Sequence, residues 1–152
     1  MYPIEDALKD FIESDVATIV GSAESPERPQ IAWGWAPRVA GEGVVEVFLD
    51  AERAERTIAN LHKNPRIAIT MAQPVSYRSV QLKGDFRDVG PPSEADKAYV
   101  QQRREGFLSA CVLVGDPPEA IRNLWLDDVV RIAFSVDQAF DQTPGPDAGK
   151  PL

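Results

Sequence analysis

The chain has 152 residues, a formal net charge of −8, a hydrophobic fraction of 43% and one cysteine. That length suits a single domain with a real core, and the acidic balance argues against a nucleic-acid partner, whose phosphates need a basic stripe, though not against a small phosphorylated ligand. No apolar run approaches a membrane span, the N-terminus lacks a basic-then-apolar signal, and the lone Cys111 leaves no internal disulfide framework, so a cytoplasmic protein is expected.

Residues 3 to 14 read as a first helix, with Pro3 at an early helical position and Ile4, Leu8, Phe11 and Ile12 on one apolar face. Ser14-Asp15 ends it. A strand from Val16 to Ser22 follows, then the turn-rich AESPERP. The second strand, Gln30 to Val39, puts Ile31, Trp33 and Trp35 on one face and Ala32, Gly34 and Ala36 on the other. That small-residue face suits either a flat ring lying against the backbone or the tapering interior of a small barrel. Gly41-Glu42-Gly43 turns the chain into VVEVFLD, which ends in Asp50, a residue that favours a helix N-cap.

Ala51, Ala54, Ile58 and Leu61 then fall at helical spacing, and the helix stops at Asn64-Pro65 because the residue before proline avoids the α region. Ile67 to Met71 is a short buried-type strand closed by Gln73-Pro74. The fifth strand alternates: Tyr77, Ser79, Gln81 and Lys83 point one way, Arg78, Val80 and Leu82 the other. It continues through Phe86 to Val89 past a bend at Gly84. Ser93 and Asp96 form a capping-box signal opening a charged helix to about Glu105, in which Arg103-Arg104 read as a solvated face. Cys111 sits in the apolar run Ala110 to Val114, where a buried, inert thiol is expected. Asp116-Pro117 starts another helix, with Ala120, Ile121, Leu124 and Trp125 on one side, and a strand from Val129 to Val136 follows. The tail from Thr143 is rich in Pro and Gly and reads as irregular. Hairpin-length connections through the first half fit an antiparallel barrel better than a βαβ sheet.

Several chemistries fall away at this point. No glycine-rich strand-to-helix turn exists for a P-loop or a dinucleotide fingerprint, and one Cys with one His cannot build a zinc site. His62, near a helix C-terminus, reads as a surface residue and has no triad context. What stands out is the polar face of the fifth strand beside a helix carrying Arg53 and Arg56 in its opening turns. It is either a sheet edge facing water or a place for a polar, anionic ligand.

Asn60-Leu61, Asn64-Pro65-Arg66 and Val80-Gln81-Leu82-Lys83-Gly84, in this order of elements, resemble the FMN-binding split barrel of the pyridoxamine 5'-phosphate oxidase superfamily. The likeness runs from about residue 5 to 90. It implies a mainly β protein with peripheral helices: a six-stranded antiparallel split β-barrel over residues 1–142, followed by an irregular tail, 143–152. The tail resembles one found in a subgroup of these proteins, and docking across the cleft or fraying are both compatible with its composition. The resemblance further implies FMN bound at the interface of a homodimer. The family's paired basic positions fall on Arg56 and Thr57, its polar strand position on Ser79 with Gln81 and Lys83, and, more loosely, a basic position on Arg38. Thr57 departs from the usual lysine and leaves the phosphate one charge short. No arginine follows Arg131, so the basic C-terminal signature of the authentic oxidase is missing. The implied activity is an FMN-dependent oxidoreductase of unassigned small substrate. The alternative is a non-catalytic barrel that holds haem, flavin or another ligand. The three tryptophans suggest more aromatic surface than one small barrel hides, which also points to a dimer.

Overall fold

Along the first strand Thr18, Val20 and Ser22 are buried while Ala17, Ile19, Gly21 and Ala23 are half-exposed, the period of two of a strand with one face inward. In a computed structural model, which describes all 152 residues, that alternation closes a barrel. Its strands are β1 (Ala17–Ala23), β2 (Pro29–Gly41), β3 (Val44–Asp50), β4 (Arg66–Ala72), β5 (Ser79–Gly90) and β6 (Val129–Asp141). They neighbour one another in the order β1-β2-β3-β6-β5-β4, and every pairing is antiparallel. Around them lie α1 (Asp6–Ile12), a 3₁₀ turn (Ala51–Arg53), α2 (Glu55–Lys63), α3 (Glu94–Leu113) and α4 (Pro118–Arg122). No helix is long and apolar enough to cross a membrane.

The barrel interior is filled by branched and aromatic side chains, among them Val47, Leu49, Ile69, Leu82, Ile132 and Phe134, all at most 1% exposed. Burial at that level contributes roughly 1.5–3 kcal/mol per large side chain. Leu8, Phe11 and Ile12 of α1 and Ala54 and Leu61 of α2 join the same core. Gly34 settles the small-residue face. A Cβ there would meet Val47, Val20 and Thr18 at 2.9 to 3.1 Å, so this face is the tapering interior and no ring lies on it. At Gly84 a Cβ would come within 1.8 Å of the Ser135 carbonyl oxygen, and the β5–β6 register shifts at that residue. The expected bend is therefore a close crossing of two backbones.

A second apolar cluster lies outside the barrel, where Trp35, Phe48 and Val129 meet Val100, Phe107, Leu108 and Cys111 of α3. This contact explains why α3 continues to Leu113 instead of ending near Glu105: its apolar residues keep helical spacing against Trp35 and Phe48. The capping box at Ser93 and Asp96 is present, with Asp96 N–H donating to the Ser93 hydroxyl and Ser93 N–H to the Asp96 carboxylate. Cys111 is buried, and burial pushes its thiol pKa up.

Three expectations change. Arg104 is not solvated but 3% exposed, and it holds the Asp50 carboxylate. Asp50 accordingly makes no side-chain cap bond, because its oxygens are turned towards Arg104. The tryptophans are largely absorbed within one chain: Trp35 is buried, stacked on Trp33 and edge-on to Trp125. Boundaries move as well. The first helix begins at Asp6, and β6 runs on to Asp141. The tail is irregular but docked. Asp141 and Ala139 exchange backbone hydrogen bonds with Gly149, Lys150 and Leu152, and Phe140 bridges to Pro151. This pairing covers β6 beyond Ser135, the last residue of β6 that β3 reaches.

Candidate functional site

The helices leave one face of the barrel open. Outward residues of β2, β1, β4 and β5 line up in rows through the strand register. One row is Trp33, Ile19, Thr70 and Gln81; the next is Ile31, Gly21, Ala68 and Lys83. The small side chains of Gly21 and Ala68 make a flat floor between bulkier neighbours. Ile31, 72% exposed, stands out of it.

Two shallow grooves meet at Gln30 and Ile31. One, of about 260 Å³, lies between β2 and the turn before α2 and is bordered by Trp33, Leu49, Asp50 and Arg53. The other, of about 300 Å³, crosses β1, β4 and β5 and is bordered by Gly21, Asn64, Arg66, Ala68 and Lys83. Cations flank α2 at both ends. Lys63 pairs with Glu24, and Arg28 and Arg56 also act on that carboxylate. The Lys63 hydrogen bond and charge, reinforced by the two arginines, hold Glu24 below the usual carboxylate range. Seven of the arginines make ion pairs with carboxylates. Arg56 is exposed and makes none.

Beneath the first groove lies a buried ion pair. Arg104 Nη2 donates to Asp50 Oδ1 at 2.7 Å, and the Leu126 N–H donates to the same oxygen at 3.1 Å. The guanidinium carbon of Arg104 sits 4.8 Å from the Trp35 ring centre and 5.5 Å from that of Trp125. Burial pulls the Arg104 pKa down, and the Asp50 carboxylate opposes it. Arg53 meets this pair from the groove side. Its Nη1 donates to the Leu124 carbonyl at 2.9 Å and lies 3.4 Å from Asp50 Oδ2.

No protein-family model matches the sequence, and no curated protein matches it significantly. Solved structures do. An F420 reductase superposes with a TM-score of 0.55 at 17% identity, over 86% of this chain and 94% of that one. HupZ of Group A Streptococcus gives 0.58 at 14% identity, over 96% and 99%. A candidate pyridoxamine 5'-phosphate oxidase from Lactobacillus delbrueckii gives 0.54 at 9%, over 91% and 93%. The fold is the pyridoxamine 5'-phosphate oxidase-like split barrel.

On this split barrel the residues singled out in the sequence fall in different surroundings. Lys83 borders the second groove, has no carboxylate partner and lies 4.9 Å from the Phe140 ring centre. Gln81 shares the outward face and donates to the Thr70 hydroxyl at 2.9 Å. Ser79 is 8% exposed; its hydroxyl donates to the Tyr77 carbonyl, and its backbone N–H donates to the Thr143 hydroxyl of the tail. Arg56 opens α2 on the solvent side, whereas Thr57 is fully buried with its hydroxyl unpartnered. Arg38, near the far end of β2, is taken up by Glu46 and Asp96 at 2.6 and 2.7 Å and lies near the Phe48 and Tyr99 rings. The second groove thus brings Lys83 together with Asn64 and Arg66, with Gln81 and Ser79 further along the same face; Arg56 borders neither groove, and Arg38 lies in a separate network. Sequence reasoning did not single out Gln30, which borders both grooves. Its strand position beside Ile31 carries no chemical signature that could have shown this.

Proposed function

We propose that this split barrel binds FMN and acts as an oxidoreductase on a small substrate, with the flavin shared between two copies of the chain. The observation that carries the reading is Arg56: in a chain of net charge −8, whose guanidiniums are mostly paired, it stays free at the opening of α2, the helix whose C-cap Asn64 borders the flat-floored groove. A guanidinium beside backbone N–H groups is a suitable partner for a phosphate. The donor set fits the cofactor: Arg56 for the phosphate, Lys83 and Gln81 for polar edges, Gly21 and Ala68 for a planar ring. When bound, the flavin supplies the electron transfer, and these residues bind and orient it.

The size of the grooves also supports a second copy. Each is at or below the low end of the roughly 300–1,000 Å³ usual for ligand pockets, so a flavin on one protomer would stay largely exposed. A partner laid over Ile31, Trp33 and Ile19 would cover both the ligand and that apolar surface.

The absorbance spectrum of the purified protein, before and after adding FMN, is the direct test. Flavin bands, followed by bleaching with a nicotinamide donor and reoxidation by an acceptor, are expected. Retention of flavin without redox cycling would reduce the protein to a binder, and a colourless protein that takes up no flavin would remove the reading. A second reading, an F420-using reductase, is favoured by the similarity to the F420 reductase fold. It is separated by titrating F420 against FMN.

A further inference from the structure

We propose that Arg53 supplies a second cation at the phosphate end of this site, making with Arg56 a clamp for a phosphate monoester or pyrophosphate. The identity of the ligand rests on the flavin reading; the anion class rests on the geometry around Arg53.

The clamp answers a question left by Thr57. That residue is fully buried under α2, so it brings neither charge nor an accessible hydroxyl to the groove. Arg53, three residues before Arg56, borders the first groove with Gln30 and Ile31. Its guanidinium is held at one corner only: Nη1 donates to the Leu124 carbonyl and reaches Asp50 Oδ2. Nε and Nη2, the side-on fork that meets two oxygens of a phosphate, have no protein partner.

The charge of Arg53 is also uncompensated. Asp50 is the only carboxylate within ion-pair distance of it, at 3.4 Å, and Arg104 already neutralises Asp50 at 2.7 Å. Among the residues that line the groove, one positive charge therefore remains, that of Arg53. The buried pair and the Leu124 carbonyl fix where it points. An arginine anchored in this way loses little further side-chain freedom when an anion arrives.

The test titrates FMN, riboflavin and inorganic pyrophosphate against the wild type, Arg53→Gln, Arg53→Lys and Arg56→Ala, with thermal melting to confirm that each variant folds. Arg53→Gln should weaken FMN by about tenfold and leave riboflavin unchanged. Pyrophosphate should follow FMN. Arg53→Lys keeps the charge but loses the fork and should fall between wild type and Arg53→Gln. Equal losses for FMN and riboflavin in Arg53→Gln overturn the assignment of Arg53, while a selective loss in Arg56→Ala still supports the flavin reading. If the wild type takes no flavin but binds pyrophosphate in an Arg53-dependent way, the flavin reading falls and the clamp stands. A wild type that binds neither overturns both.

Discussion

The two sides of this barrel use arginine in opposite ways. Under α3, Arg104 is sealed between Trp35 and Trp125 and joined to Asp50, with both charged groups at most 3% exposed. On the open side, around the head of α2, Arg53 and Arg56 stand in solvent, Arg53 at the rim of a shallow groove. Taking a charge out of water costs several kcal/mol, so the buried arginine is tolerable only when paired and serves to lock elements together. The exposed ones cost little to keep and contribute little to stability, which leaves them available for a ligand.

Mutations should separate these uses, and the largest effect belongs to the covered side. Arg104→Ala leaves Asp50 buried without its partner and should lower the unfolding free energy by about 3–5 kcal/mol, read by urea denaturation. Arg104→Met, which fills the space between the tryptophans, should also leave Asp50 uncompensated and recover only part of that loss. A loss below about 1 kcal/mol for Arg104→Ala, the value of a surface pair, would abolish the contrast.

On the open side the effect should appear in binding. Arg56→Ala should weaken FMN by about ten- to a hundredfold, the equivalent of about 1.5–3 kcal/mol, and riboflavin far less, with the melting temperature nearly unchanged. Glu52, four residues before it, does not neutralise Arg56, which makes no ion pair. Arg103 is unsuitable as a control for charge loss: its Nη1 donates to the Glu13 carbonyl at 2.7 Å and ties α3 to the end of α1. Arg87, exposed and unpaired, serves instead, and Arg87→Ala should change neither ligand.

The open face itself is probed by Ile31→Asp. A charge at the most prominent apolar position of this face should convert the proposed micromolar dimer to monomer in sedimentation and reduce the proposed flavin retention with it. Dimers that persist would place the subunit contact elsewhere.

A smaller effect tests the junction of the two sides, where Asp96 caps α3 and pairs with Arg38. Burial alone would raise the Asp96 pKa. The Ser93 backbone N–H, the Arg38 guanidinium and the Ser93 side chain outweigh it, so the carboxyl is held below its ordinary value. A depressed folded-state pKa means that the stabilisation is complete above about pH 4, the unfolded value, and is lost as pH falls through the lower folded value. Asp96→Asn should cost about 1 kcal/mol at neutral pH and flatten the acid side of the stability profile. An unchanged acid limb would mean that other carboxylates dominate it.

How much of this was legible in the sequence followed from the range of the interactions involved. The strands themselves, the β2–β3 hairpin and the capping box at Ser93 depend on alternation and local spacing, which a sequence displays directly, and the barrel was implied by resemblance. The burial of Arg104 depends on Trp35 and Trp125 arriving from distant elements, so a helix segment with two arginines looked solvated. The free fork of Arg53 depends in the same way on the Leu124 carbonyl. Thr57 appeared as a weakened ligand because counting from Asn64-Pro65 gives its place in the helix but not the direction its side chain faces. The tail was legible as irregular and not as docked, because its partners are backbone groups of Ala139 and Asp141, which any residue would offer.

The position of β6 between β3 and β5 bears on how the chain folds. Its neighbours on both sides were made long before it: Leu49 meets Val130, and Val80 meets Asp141. While the protein is being synthesised, β1 to β5 emerge with the β3 and β5 edges unpaired, and neither can close on the other until residues 129 to 141 have left the ribosome. Such pairings raise the contact order and slow the final step. Until then the nascent chain exposes two adhesive edges, so the interval between the end of β5 and the arrival of β6 is when it is most open to pairing with another chain.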